Sequence, residues 1–176
     1  MQLDQLKALL PVPASPIEVP TQDRWLLAEK MIGVNLPDDY KAYVTTYGSG
    51  FIGDYLHIYV PFSKHSYNNL LREMDSVLYL DDNPDIPHSY FSAETKRGLL
   101  PVGTTIDGDN IFWVVGGDPN SRTIYINYRD FEYEAHDCGV VEFLVRFLSK
   151  KLNSDLIRIS EVNRKRLFRN QMEGGF

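Results

Sequence analysis

The sequence predicts an α+β domain, a single unit in which an antiparallel sheet of about 4–6 strands is packed with N-terminal and C-terminal helices. The first observation is apolar residues recurring at helical spacing near both ends of the chain. The second is what lies between them: alternating apolar runs that follow one another across short turns, as in "LLPVGTTIDGDNIFWVVGGDPNSRTIYINY". Short turns join antiparallel neighbours, because a parallel pair needs a crossover of roughly a dozen residues or more.

The elements follow in order. Leu3, Leu6, Leu9 and Leu10 predict one or two helical turns. "PVPASPIEVP" then holds four prolines, so residues 1–20 read as an arm lying on the domain. Thr21 to Ile32 predicts a helix, with Trp25, Ala28, Met31 and Ile32 inward and Leu26 and Leu27 widening the apolar face. Gly33 suits the position after its end. A second helix is predicted from Pro37 to about Tyr47. Pro37 suits a first turn, where its missing N–H costs nothing, and Asp38 and Asp39 complement the helix dipole. Tyr40, Tyr43, Val44 and Tyr47 make one stripe, and Gly48 a left-handed stop. "YLHIYV", Tyr55 to Val60, alternates as a strand with Tyr55, His57 and Tyr59 on the outer face. Tyr67 to about Leu78 predicts a helix with Leu70, Leu71, Met74, Val77 and Leu78 inward, ended by the prolines of "YLDDNPDIPHS". "LLPVGTTI" and "NIFWVV" flank Asp107-Gly108-Asp109 as a hairpin. "TIYINY" and "FEYEA" continue the sheet, and His136 reads as a turn residue. Val140 to Leu152 returns to helix on Val141, Leu144, Val145 and Leu148, broadened by Phe143 and Phe147. Ser154 to about Asn170 reads as a basic amphipathic helix. The domain proper is therefore expected over residues 21–152, with a basic helical extension over 153–176.

Composition narrows the function classes. The net charge of −6 is uneven: residues 1–145 carry 10 Lys/Arg against 21 Asp/Glu, and residues 146–176 carry 8 against 3. An acidic body argues against direct nucleic-acid binding and permits a basic partner. Cys138 is the single cysteine, so no internal disulfide or Cys-rich zinc site can form. The N-terminus lacks the basic and apolar regions of a secretory signal, and no apolar run approaches the ~18 residues of a membrane span. A cytoplasmic protein without membrane contact, a monomer or weak dimer, is expected.

Catalytic patterns are weak. His57, His65, His88 and His136 show no zinc-helix spacing. His136 near Cys138 could suggest a nucleophile, but no base or orienting partner is defined. "DDNPDIPHSYFS" has alternating Asp81, Asn83 and Asp85 but Ile86 and Ser92 where a calcium loop needs Gly and Glu. The Gly-rich turns lack the lysine of a phosphate-binding loop. Neither enzymatic activity, metal nor cofactor is expected. Arg158, Arg164, Lys165, Arg166 and Arg169 read as a solvated basic face.

One stretch adds a resemblance. "AEKMIGVNLPDDYKAYVTTYGSGF" resembles the N-terminal signature of the SUKH superfamily. That signature is a helix ending in a Leu-Gly-like pair, then Leu-Pro-x-Asp-Tyr, then a helix ending in a Gly-rich turn. Ile32-Gly33, Leu36-Pro37, Asp39-Tyr40 and Tyr47-Gly48-Ser49-Gly50 match it. "LLPVGTTIDGDNIFWVVGGDP", with Trp113, is similar to the family's hairpin, and "VVEFLVRFLSKKL" to its closing helix. The likeness covers roughly residues 20–152. It implies a non-enzymatic protein that works through protein contacts. Bacterial members are mostly immunity proteins that block a toxin domain, often a nuclease; fungal members regulate cell-wall glucan synthesis.

An immunity role implies an acidic face that imitates phosphates and covers a basic nuclease site. The candidate partner-binding residues are Asp81, Asp82, Asp85, Asp107, Asp109, Asp118, Glu132 and Glu134, with Tyr55 and Tyr59 as exposed aromatic anchors. The alternative is a regulatory or scaffold protein of the cell-wall type.

Overall fold

The computed structural model describes residues 2–77, 87–128, 132–157 and 167–170. The helices are α1 (Gln2–Leu9), α2 (Gln22–Ile32), α3 (Asp38–Tyr47), α4 (Leu70–Val77) and α5 (Val140–Leu148). The strands are β1 (Gly50–Ile52), β2 (Leu56–Ile58), β3 (Gly98–Thr105), β4 (Asp109–Val115), β5 (Thr123–Tyr128), β6 (Glu132–His136) and β7 (Phe168–Asn170). They form one seven-stranded sheet in the order β6-β5-β4-β3-β2-β1-β7. Every pairing is antiparallel, so the chain is an α+β domain with a longer sheet than expected.

The helices cover one face of the sheet. Leu100, Val102, Ile111, Trp113, Ile124 and Ile126 point into a core shared with α3 and α5. Trp113 meets Tyr40 edge-on at 4.9 Å, and Tyr40 in turn meets Trp25 at 5.9 Å. Such T-shaped contacts add to simple area burial. The opposite face carries a smaller cluster of Leu99, Phe112 and Tyr125, against which Tyr90 and Val114 pack.

The tyrosine stripe of α3 is fully buried, and its hydroxyls do more than fill space. Tyr40 donates to the carbonyl of Tyr59 at 2.6 Å and Tyr47 to that of Leu10 at 2.8 Å. One helix thus anchors the end of β2 and the N-terminal arm. Leu6 and Leu10 are buried, so α1 is part of the core. Gly48 (φ +69°) lies so close to the arm that a Cβ there would sit 2.2 Å from the carbonyl oxygen of Ile17. Its conformation (ψ −154°) is not the left-handed stop expected. Glycine is required there by close approach. Gly108 (φ +92°) makes the Asp-Gly hairpin turn as expected.

Several expectations are corrected. In α2 only Trp25, Ala28 and Ile32 face the core, while Leu26, Leu27 and Met31 are exposed. A turn of 3.6 residues carries them to the outer side of the helix. A 3-10 turn, Ser66–Asn68, precedes α4, so that helix starts at Leu70; Leu78 lies outside the described residues. α5 ends at Leu148. The extension is not one helix: among its described residues, Phe168–Asn170 is a strand paired with β1. Phe168 is buried and Arg169 exposed, the alternation of a strand at a sheet edge.

Candidate partner-binding surface

A meander of antiparallel strands gathers alternate turns at the same end. The turn between β1 and β2 and the Asp107 hairpin therefore share one end of the sheet, as does the start of β6. Strand register places Asp109, Tyr128 and Glu132 in one row across β4, β5 and β6, and Ile111, Ile126 and Glu134 in the next but one. With neighbouring strands about 4.8 Å apart, Asp109 and Glu132 are separated by about 10 Å. Four of the acids picked from the sequence, Asp107, Asp109, Glu132 and Glu134, are thus brought to one corner.

They are not equivalent there. Asp107 and Glu132 are exposed. Asp109 is 1% exposed, which corrects its expected place on the surface. Its carboxylate accepts from the Thr105 hydroxyl at 2.5 Å, lies 3.4 Å from the Tyr55 hydroxyl, and its own N–H donates to Thr105 Oγ1 at 3.1 Å. Burial raises its pKa, and the nearby charges of Asp107 and Glu134 raise it further, against the bonds from Thr105 and Tyr55. The corner therefore has a negative potential that its own groups register. Glu134 is half-buried and structural: Oε1 accepts from the N–H groups of Asp155 (2.6 Å) and Leu156 (2.7 Å), and Oε2 lies 3.1 Å from His136 Nε2. It fastens the segment after α5 to β6.

The two expected aromatic anchors are both buried: Tyr55 is 0% and Tyr59 4% exposed. Tyr55 packs on Phe147 of α5 and reaches Asp109; the carbonyl of Tyr59 is the acceptor for Tyr40. Neither can anchor a partner. The strand assigned to them ends at Ile58, so alternation does not extend over the whole run. The exposed large apolar residues at this corner are Ile106 (58%), at the hairpin tip, and Tyr133 (48%), on β6. Sequence reasoning missed them. Ile106 reads as the last strand residue before the Asp-Gly turn, but it stands one step past the end of β3.

The remaining candidates lie elsewhere. Asp118 is at the opposite end of the sheet, where it accepts from the Asn120 N–H at 2.9 Å and caps a 3-10 turn. Asp81, Asp82 and Asp85 lie outside the described residues. His136 is the last residue of β6 rather than a turn residue, and its ring is turned to Glu134. Cys138 is buried, and burial pushes its thiol up to about 11. It meets His136 through the backbone, its N–H donating to the His136 carbonyl. Among the described residues no group of three or more His, Cys, Asp or Glu is placed to hold a metal ion, and no helix is long and apolar enough to cross a membrane.

Residues 2–83 match a family model, SUKH_5, described as SMI1-KNR4 cell-wall. Over this stretch, a little under half of its length, the chain is similar to the SUKH superfamily. The match begins within α1, so the matched region includes the arm that the sequence alone placed outside the domain. Comparisons with curated proteins and with solved structures returned no match. The likeness to this family is consistent with an immunity or a regulatory role.

Proposed function

We propose that this chain is a SUKH protein and a cytoplasmic immunity protein: it acts by binding, not by catalysis, and neutralises a basic toxin domain, such as a nuclease. The observation that carries the reading is the acidic corner, where exposed Asp107 and Glu132 flank two exposed apolar side chains, Ile106 and Tyr133. Apolar anchors inside a charged rim are what a protein interface needs. Acidic side chains in the place of phosphates steer a nuclease face onto the corner and cover it. The family likeness over residues 2–83 and the acidic body support this reading.

The printed description of the matching model supports a second reading, a regulatory scaffold of cell-wall type. Co-expression with a toxic domain encoded beside this gene separates the two. Under the immunity reading growth is restored and a complex co-purifies. Ile106→Asp combined with Tyr133→Ala then weakens the complex by at least about tenfold, as loss of interface anchors does. The variant stays folded with a modest fall in melting temperature, because Ile106 is exposed and Tyr133 gives up only its stack on Tyr125. No protection and no complex would remove the immunity reading.

A further inference from the structure

The end of the sheet away from the acidic corner carries a second surface of opposite character. A cleft of about 660 Å³ opens between the N-terminal arm, the start of α2 and the loop after β2. Its walls are apolar, built from Ile17, Val19, Pro20, Pro61 and Phe62. Its rim is cationic, with Arg24 and Lys64 exposed and His65 half-buried. The Arg24 guanidinium stacks 4.7 Å over the Phe62 ring. Stacking fixes the plane of the guanidinium and leaves its edge to meet a carboxylate. Among the described residues no carboxylate forms an ion pair with Arg24.

The one acid in the cleft is already engaged. Glu18 accepts from the Ser63 hydroxyl at 2.6 Å and the Lys64 N–H at 2.9 Å. Its carboxyl is held below the usual range: burial opposes this, but those bonds and the neighbouring Ser49 and His65 outweigh it. Glu18 (φ +57°) and Phe62 (φ +62°) also hold the left-handed conformation that non-glycine residues avoid. Such conformations persist where the surroundings impose them, and they gather at ligand clamps. The apolar surface continues beyond the cleft. Arg24, Leu27 and Met31 are spaced i, i+3, i+7 on α2, and Leu27 and Met31 are 46% and 54% exposed.

We infer that this cleft and the outer stripe of α2 dock an extended acidic segment of a partner protein. Its apolar side chains fill the space beside Phe62 and lie along Leu27 and Met31, and its carboxylates meet Arg24 and the rim. Charge complementarity selects that occupant: the rim is positive on a protein whose net charge is −6. This surface is distinct from the acidic corner and stands or falls independently of it.

Selection of a random displayed peptide library on the full chain tests this. The recovered peptides are then synthesised with a fluorophore and titrated by anisotropy. Enrichment of peptides that combine Asp or Glu with aromatic or aliphatic residues is expected. Their affinity should fall with added salt and by at least about tenfold in Arg24→Glu, where like charges face each other. Phe62→Gly should weaken them similarly; glycine suits that backbone, so the variant keeps its fold, which a circular dichroism melt confirms. Four results overturn the proposal: no enrichment, recovery of basic or uncharged peptides, binding retained in both variants, or self-association without peptide that Arg24→Glu abolishes. The last would give the cleft to a second copy of the chain.

Discussion

His57 offers the sharpest test of the packing, because a titratable ring sits where charge is not tolerated. It is 6% exposed on β2, with the Phe51 ring 3.7 Å from it, centroid to centroid, and Tyr67 edge-on at 6.2 Å. Its Nδ1 is buried without a partner. Burial pushes its pKa from 6.5 to about 4. The folded value is below the unfolded one, so protonation favours unfolding. The stability from the neutral ring is full above about pH 6.5 and is lost as pH falls toward about 4. The whole shift corresponds to roughly 3 kcal/mol, at about 1.4 kcal/mol per pH unit. Between pH 7 and pH 5 the loss is roughly 2 kcal/mol. His57→Phe removes the titration and the orphan nitrogen while keeping a flat ring. Urea unfolding followed by the fluorescence of buried Trp25 and Trp113 measures both proteins at both pH values. At pH 7 the variant should match the wild type within about 1 kcal/mol, the usual tolerance for a near-isosteric core exchange. Its loss on going to pH 5 should be smaller by roughly 2 kcal/mol. Equal losses in the two proteins would refute the claim that the ring is held neutral by burial.

Asp109 has the opposite sign. Its folded pKa is raised, so stability is lost as pH rises from about 3.8, where the unfolded carboxyl ionises, and the buried charge carries its full cost above the folded pKa. Asp109→Asn should therefore raise the melting temperature at pH 7 and lose that advantage at pH 3, by differential scanning fluorimetry. Glu134→Ala removes the acceptor for the Asp155 and Leu156 amides and should cost about 1–3 kcal/mol. Hydrogen exchange at those two amides should accelerate more than at β4. Phe168→Ala should cost about 3 kcal/mol, since it empties the space beside Tyr47, 5.3 Å from the Phe168 ring. It should also increase exchange in β1, whose partner at that edge is β7.

The central fold was legible because its determinants are local. The Asp-Gly hairpin, the alternation in "TIYINY" and the aromatic stripe of α3 each depend on residues a few positions apart. β5 occupies Thr123–Tyr128, the stretch read from the sequence, and α3 starts one residue after its expected Pro37. What failed depends on distant chain. Phe168–Asn170 is a strand because β1 presents an edge to it, and nothing within a basic, helix-compatible segment announces that edge. α1 joins the core because Tyr47 bonds the carbonyl of Leu10 across 37 positions. The extra strand and the folded-in arm are thus one error: Phe168–Asn170 and the arm at Ser15–Ile17 both close on the β1 side of the sheet, and sequence periodicity does not report closure.

The site was misread for a related reason. Tyr55 and Tyr59 look like an outer face because they alternate with Leu56 and Ile58, and a two-residue period normally separates a buried face from a wet one. That rule holds for a sheet covered on one side. Here β2 spans three residues, all of them buried, because rings and loops close over both its faces. A tyrosine there is core, with its hydroxyl sent to a specific acceptor, as Tyr55 is sent to Asp109. The acid follows it inside. The surface of the corner is then left to residues on turns and at the sheet margin, Ile106, Asp107, Glu132 and Tyr133. Burial of Tyr55 and Asp109 does not weaken the case for a binding corner. Their contact ties β4 to the turn between β1 and β2, so the Asp107 hairpin is presented on a rigid base, and a rigid base lowers the entropy lost when a partner docks.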